Sequence, residues 1–256
     1  GKLGDIAYPN LSSVVGNVSI SNAVSVTTLD FSAVTTAGGT LDGGTPDYAN
    51  ATSLNLGKFV NTTVDADKAV TLTLGQTANA AGLVITAPLA TAIDINALTS
   101  SAASLEIASA ATTSVIHLDA LASAVGGIVA NNNIVDEFHL PALLETKTGA
   151  VLIQARTINL SALKKVTTGA LTFVDATNVI TTAAFVSSAS AITFTTCNIA
   201  HINFPKLVLG SALTANSSTT QVTVASSGDA GLANITAGVP TAVKVNLTAQ
   251  TVAIAG

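Results

Sequence analysis

The sequence predicts an all-β protein of the parallel β-solenoid class, in which short strands coil around one axis and stack in register. Three observations lead to this prediction. A short apolar phrase returns about every 21 residues along the 256-residue chain, a second apolar segment keeps the same period, and glycine-rich turns lie between them. A fixed period of 20 to 50 residues is typical of repeat architectures, whose repeats bury their apolar faces against neighbours. We expect about twelve coils.

The repeated phrase reads apolar, polar, apolar, two small residues, apolar. Clear copies run from Ile6 to Leu11, from Phe138 to Leu143 and from Ile158 to Leu163. Alternation over three residues is the period of a strand, because successive side chains of a strand point to opposite faces. The phrase begins at Ile6, Leu29, Leu54, Leu72, Ile93, Ile116, Phe138, Ile158, Ile180, Ile202, Val222 and Val243.

The second apolar segment follows each phrase by about twelve residues. It begins at Val18, Leu41, Val64, Val84, Leu105, Ile128, Val151, Leu171, Ile192, Leu213, Leu232 and Val252. Glycines such as Gly149 and Gly169 separate the two series, and glycine allows a tight corner without steric cost. The abundance of Thr and Val favours strands over helices. Each coil is therefore predicted as strand, corner, strand, corner, in one domain over residues 1–256, with degenerate coils over residues 215–256.

A family resemblance rests on the first coil. Residues 6 to 20 read Ile-x-Tyr-Pro-x-Leu followed by Val-x-Gly-x-Val-x-Ile. This pattern resembles the receptor L-domain type of leucine-rich solenoid, and related surface leucine-rich repeats, over roughly residues 5 to 215. The resemblance implies leucine-rich-repeat-like coils in an extracellular or cell-surface protein that binds proteins or builds extracellular structures. The chain departs from the family in lacking disulfide-capped ends, since Cys197 is its only cysteine.

Composition excludes several classes of partner. Charged residues make up 9% of the chain, the net charge is −5, and Lys164-Lys165 is the only basic pair, so nucleic acid is not an expected partner. No run of 18 apolar residues occurs, so no membrane-spanning helix is predicted.

One face of the predicted solenoid carries candidate ligands for a metal. The second residue of each phrase should point outward, and this places Asp94, His117 and His139 on adjacent coils about 5 Å apart. Two imidazoles and a carboxylate could hold a divalent transition metal. The alternative is a polar ladder exposed to solvent, which is the interpretation we adopt for the sequence, with no metal or other cofactor.

Catalytic motifs are not found in the sequence. There is no Gly-x-Ser-x-Gly turn for a nucleophilic serine, no phosphate-binding glycine motif, and His201 has no evident acidic partner. Thr71-Leu-Thr73 and Thr193-Phe-Thr195 are similar to the Thr-x-Thr arrays of ice-binding solenoids, but Asp, His and Asn interrupt the array. We therefore predict a protein that is not an enzyme and has no catalytic residues.

The sequence favours a structural role outside the cell. Neither end shows a polar capping repeat, and an uncapped coil exposes unpaired backbone groups. Either the sequence is a segment of a longer protein, or these ends meet other subunits. We expect self-association of the ends, which would build a surface filament, adhesin or coat. The alternative is a cell-surface module that displays a polar face to a protein or a glycan. The core is expected to depend on Leu118, Leu140, Leu160 and Phe204.

Overall fold

The fold was described from a computed structural model of the chain. It describes residues 5–20, 26–42, 50–59, 63–79, 82–109, 115–188, 192–195 and 197, and beyond these the backbone of eight further strands between residues 202 and 254. All the regular structure in these residues is β-strand, and no helix occurs among them. The predicted all-β class is confirmed.

The strands are short and follow one another along the whole described chain. In chain order they are β1 (Asp5–Ala7), β2 (Ser13–Val14), β3 (Val18–Ser19), β4 (Thr28–Asp30), β5 (Thr36–Ala37), β6 (Leu41–Asp42), β7 (Ser53–Asn55), β8 (Thr63–Asp65), β9 (Thr71–Thr73), β10 (Ala78–Asn79), β11 (Leu83–Ala87), β12 (Ala92–Asp94), β13 (Ser100–Ser101), β14 (Leu105–Ser109), β15 (Val115–His117), β16 (Ser123–Ala124), β17 (Ile128–His139), β18 (Glu145–Thr146), β19 (Val151–Asn159), β20 (Lys165–Val166), β21 (Leu171–Val174), β22 (Val179–Thr181), β23 (Ser187–Ser188), β24 (Ile192–Thr195), β25 (Ile202–Phe204), β26 (Leu209–Gly210), β27 (Leu213–Asn216), β28 (Gln221–Ala225), β29 (Asp229–Leu232), β30 (Ile235–Ala237), β31 (Lys244–Thr248) and β32 (Thr251–Ile254).

Every described pairing between these strands is parallel and joins one coil to the next. The phrase strands pair in register, so that Ile6 lies beside Leu29, and Ile116 beside Phe138. The phrase strands from β1 to β22 form a 16-stranded sheet together with strands of the second apolar series. A parallel β-solenoid, as the sequence predicts, is therefore the fold of the chain.

A third strand per coil was not predicted. Two-residue strands such as β16, β18 and β20 stack into a separate nine-stranded sheet, so that most coils have three sides. In β17 and β19 the second apolar segment and the next phrase instead form one long strand, without the predicted corner. Two-residue strands are too short to show a period in the sequence, which explains why they were missed.

The predicted number of coils is wrong. The structure is a solenoid of about seven turns rather than twelve. Strands of both apolar series share one sheet only between Ser53 and Thr195. Before this range β3 and β6 form a separate two-stranded sheet, and after it β25, β28 and β31 form a separate three-stranded sheet.

The predicted register also shifts at the end of the chain. Val222 pairs with Val245, not Val243, and Leu232 and Val252 lie in the nine-stranded sheet.

The core is a set of aliphatic stacks that run along the axis. Leu118, Leu140 and Leu160, which the sequence places in the core, each have no exposed area. They stand on successive coils, one residue after the outward positions of the phrase strands. Phe204 closes β25, and its side chain lies outside the described residues. Because each side chain packs against the coils on both sides, the burial depends on stacking and not on any single coil.

Threonine hydroxyls tie the coils together at the corners. Each donates to a backbone carbonyl of the preceding coil, as Thr99 does to Thr77 at 2.7 Å and Thr91 does to Val70 at 3.1 Å. The same bond is made by Thr35, Thr52, Thr148 and Thr168. These threonines therefore link neighbouring coils, in addition to favouring strand conformation.

Candidate functional site

The outward positions of the phrase strands form one continuous polar ladder. Asp94 is the register partner of His117, and His117 is the register partner of His139. The three residues therefore stand on adjacent coils of β12, β15 and β17, all half-buried on the outer face of the sheet. The backbone thus places these three residues side by side, as the metal hypothesis drawn from the sequence requires.

The side chain of Asp94 takes part in a turn. Its Oδ1 accepts a hydrogen bond at 2.9 Å from the backbone N–H of Asn96, two residues further along the chain. Asp30, Asn55 and Asn159 accept the same bond at their own coils, at 2.8 to 3.1 Å. This is a side-chain-capped turn, for which Asp and Asn are favoured because their short side chains reach the backbone two residues on. The ladder position is thus largely a turn-forming position.

The two histidines replace that capping residue on adjacent coils. The ring centroids of His117 and His139 lie 4.9 Å apart, and the ring planes are tilted by 40°. Neither histidine accepts the turn hydrogen bond that Asp and Asn accept at this position. The rings contact each other instead and carry four nitrogens within a small area of the sheet surface.

Each histidine has its own carboxylate. Nδ1 of His117 lies 3.5 Å from Oδ2 of Asp119, and Nε2 of His139 lies 3.0 Å from Oε2 of Glu137. The His139 contact is a hydrogen bond, whereas Nδ1 of His117 is buried and makes no hydrogen bond with the described residues. The side chains are 28% exposed for His139, 35% for His117, 45% for Asp119 and 54% for Glu137.

A metal-ligating set arises here, with Asp119 in place of Asp94. His117, Asp119 and His139 each offer a ligand atom, and these atoms lie within 4.8 Å of one another. The sequence hypothesis considered only one ladder position per coil and so passed over Asp119, which follows His117 by two residues. The turn that follows each phrase strand could have indicated Asp119, because it keeps residues 117 and 119 on the same side of the coil.

The position of Asp119 is fixed by the neighbouring coil. Its backbone N–H donates to Oδ1 of Asn96 at 3.0 Å, and Asn96 in turn donates its own N–H to Asp94. Asp94 therefore belongs to the support of this site through the turn that it caps. The chain of hydrogen bonds from Asp94 to Asp119 crosses one coil boundary, which links the two turns.

Two other features of the described residues offer less chemistry. An open groove lined by Leu144, Glu145, Lys164 and Lys165 lies on the nine-stranded sheet, and contains the basic pair seen in the sequence. Cys197 is fully buried, and burial raises the pKa of its thiol to about 11. A buried thiol with a raised pKa is an inert packing group rather than a nucleophile.

Comparisons with known proteins give no relative. No protein-family model, no curated protein and no solved structure matches the chain. In the described residues there is also no helix with the length and hydropathy that crossing a bilayer requires.

Proposed function

We propose that the chain is an extracellular structural protein, a subunit or segment of a surface filament, adhesin or coat that assembles through the ends of its solenoid. The mechanism is mechanical. Continuous parallel ladders and aliphatic stacks resist unfolding along the axis, and further coils extend both without a change of pattern. A head-to-tail contact of this kind does not close on itself and generates an open fibre.

The observation that carries this proposal is the incomplete burial of the first described coil. Ile6 and Val18 point to the core but are only partly buried, whereas their register partners Leu29 and Leu41, one coil further on, are each 1% exposed. Among the described residues β1 pairs on one side only, with β4. An added parallel coil would cover the apolar side chains and satisfy the free strand edge together.

An aromatic column reaches the same end. The ring of Tyr8 stacks on Phe31 at a centroid distance of 5.0 Å, and Phe31 contacts Phe59 edge-on at 5.4 Å. Phe31 and Phe59 are at most 1% exposed, while Tyr8 is 46% exposed. Tyr8 is therefore the residue of this column that a neighbouring coil would cover. We propose that a further coil of the same type covers Tyr8, either from a second copy or from a neighbouring segment of a longer chain.

The sequence pattern of the first coil supports both the proposed type of coil and the proposed location at the cell surface. The Ile6-x-Tyr8-Pro9-x-Leu11 phrase supports a leucine-rich coil similar to that of receptor L-domains, and such coils suit a cell-surface protein. We propose this affiliation as a working description of the repeat.

Electron microscopy of the native material at neutral pH tests the assembly. We expect filaments with an axial repeat near the length of one solenoid, and single dispersed rods would contradict the proposal. The matched variants are Tyr8→Asp at the end and Val179→Asp on the side, where Val179 is 53% exposed. Tyr8→Asp should shift the material to single rods, because it places a charge in the proposed contact, and Val179→Asp should leave the filaments intact.

A second candidate function is a cell-surface module that presents the polar ladder to a protein or a glycan. The observation that favours it is the break in the turn-capping pattern at His117 and His139, where side chains contact each other and not the backbone. Dispersed rods in the microscope, together with retention of the protein on a glycan or protein array, would favour this function over the filament.

A further inference from the structure

We propose that His117, His139 and Asp119 form a binding site for a divalent transition-metal ion, with Zn²⁺ as the best-suited ion, and that Glu137 orients the ring of His139. Imidazole and carboxylate donors together suit Zn²⁺ and related ions. Three protein ligands leave one tetrahedral position for water or for an atom of a bound partner. The inference does not depend on the filament proposal.

The donors converge because the backbone holds them. His117 and His139 are register partners on adjacent parallel strands, about 4.8 Å apart as in any sheet, and their rings lie 4.9 Å from each other. Asp119 reaches the pair from the turn, where its N–H is held by Asn96 at 3.0 Å. The ligand atoms therefore come from two coils and are fixed by the register of the solenoid.

The geometry needs only side-chain movement to hold an ion. The candidate ligand atoms lie within 4.8 Å of one another, whereas a tetrahedral Zn²⁺ with bonds of about 2.0–2.2 Å places its ligands about 3.4 Å apart. We expect rotation of these side chains, which are 28% to 45% exposed, to close this difference.

Two independent features of the site point to a cation. Nδ1 of His117 is buried and has no hydrogen bond with the described residues, and Oδ2 of Asp119 lies 3.5 Å from it. A cation bound by both atoms would satisfy the buried nitrogen, which is otherwise unfavourable. Glu137 holds His139 through a 3.0 Å hydrogen bond, and a carboxylate partner of this kind commonly fixes the ring of a metal-ligating histidine. A bound ion would use both features.

Titration of the metal-free full chain with ZnCl₂ by calorimetry tests the site, with Co²⁺ absorption as a probe of the coordination geometry. We expect one saturable site per chain. His117→Gln, His139→Gln and Asp119→Asn should each weaken Zn²⁺ binding at least about tenfold. Absence of saturable binding up to about 100 µM, or wild-type affinity in both histidine variants, would overturn the proposal.

Two control variants make the assignment specific. His201→Gln removes the third histidine of the chain, which lies outside the described residues, and should bind as the wild type does. Asp30→Asn makes the same change of charge at a turn-capping residue of a distant coil, so it should also bind normally. If Asp30→Asn weakens binding as much as Asp119→Asn, the assignment of Asp119 is wrong. Circular dichroism of every variant confirms that the fold is retained.

Discussion

The imidazole rings of His117 and His139 lie over each other across two adjacent strands, with their centroids 4.9 Å apart. The two residues occupy the same position of the repeated phrase, one coil apart along the chain. Their contact depends on the parallel register, which places residues one regular period apart side by side on adjacent strands. The outer surface of this solenoid can be derived from the sequence wherever the period is regular.

Replacement of Leu140 by Asp should unfold the coils around it. Leu140 has no exposed area, and a carboxylate at that position would be buried without a partner. We expect the free energy of unfolding to fall by more than about 4 kcal/mol, as for other severe core defects. Leu144→Asp is the matched control, because Leu144 is 44% exposed and should tolerate the change within about 0.5 kcal/mol. Thermal melting of both variants measures the difference, and equal melting curves would refute the core register.

The class of fold could be predicted because the period of the sequence is also the period of the structure. Leu118, Leu140 and Leu160 lie where the phrase places them, since an apolar residue that recurs once per coil has to face the shared interior. The prediction fails where the phrase degenerates. Near Val222 and Val243 the apolar spacing no longer distinguishes one strand position from the next, and the register there follows backbone pairing.

The sequence predicts only two of the three residues of the candidate site, His117 and His139, and not Asp119. The ladder of Asp94, His117 and His139 follows from the period, but the period does not show where each side chain is used. Asp94 caps its own turn, and Asp119 enters the site from a turn whose conformation depends on Asn96 of the coil before. Contacts between turns of different coils are tertiary, so a repeat pattern alone does not reveal them.

Replacement of Gly149 by Ala should destabilise the solenoid. A Cβ atom at Gly149 would lie 1.7 Å from the backbone oxygen of Gly126, because glycines of successive coils stack closely at this corner. We expect a loss of about 1–3 kcal/mol or more in the free energy of unfolding, typical of overpacking. The control is Gly16→Ala, where nothing lies within 4 Å of the added atom. Denaturant titration compares the two, and equal stabilities would show that the coils are not stacked so closely.

Replacement of Thr99 by Val should weaken the joint between two coils. The Thr99 hydroxyl donates to the carbonyl of Thr77 at 2.7 Å, and valine keeps the shape of the side chain without the donor. We expect a loss of about 0.5–1.5 kcal/mol, the usual contribution of one hydrogen bond. Thr99→Ser retains the hydroxyl and should recover most of the loss. If serine and valine are equally destabilising, the hydroxyl bond does not contribute to the stability of the corner.

The single thiol should make the protein less stable at high pH. Burial, the largest cause, and the nearby Asp175 carboxylate raise the pKa of Cys197 to about 11 in the folded chain, above its ordinary value of 9.0. Between these two values the unfolded chain loses the proton while the folded chain keeps it, so the free energy of unfolding falls as pH rises through this window. The thiol should lower the free energy of unfolding by roughly 2 kcal/mol at pH 11.

Denaturant titrations of the wild type and of Cys197→Ala at pH 8 and at pH 11 measure this loss, since the alanine variant lacks the thiol and keeps every other titrating group. The wild type should lose more stability between the two pH values than the variant does, and parallel losses would mean that the Cys197 thiol titrates alike in the folded and unfolded chains.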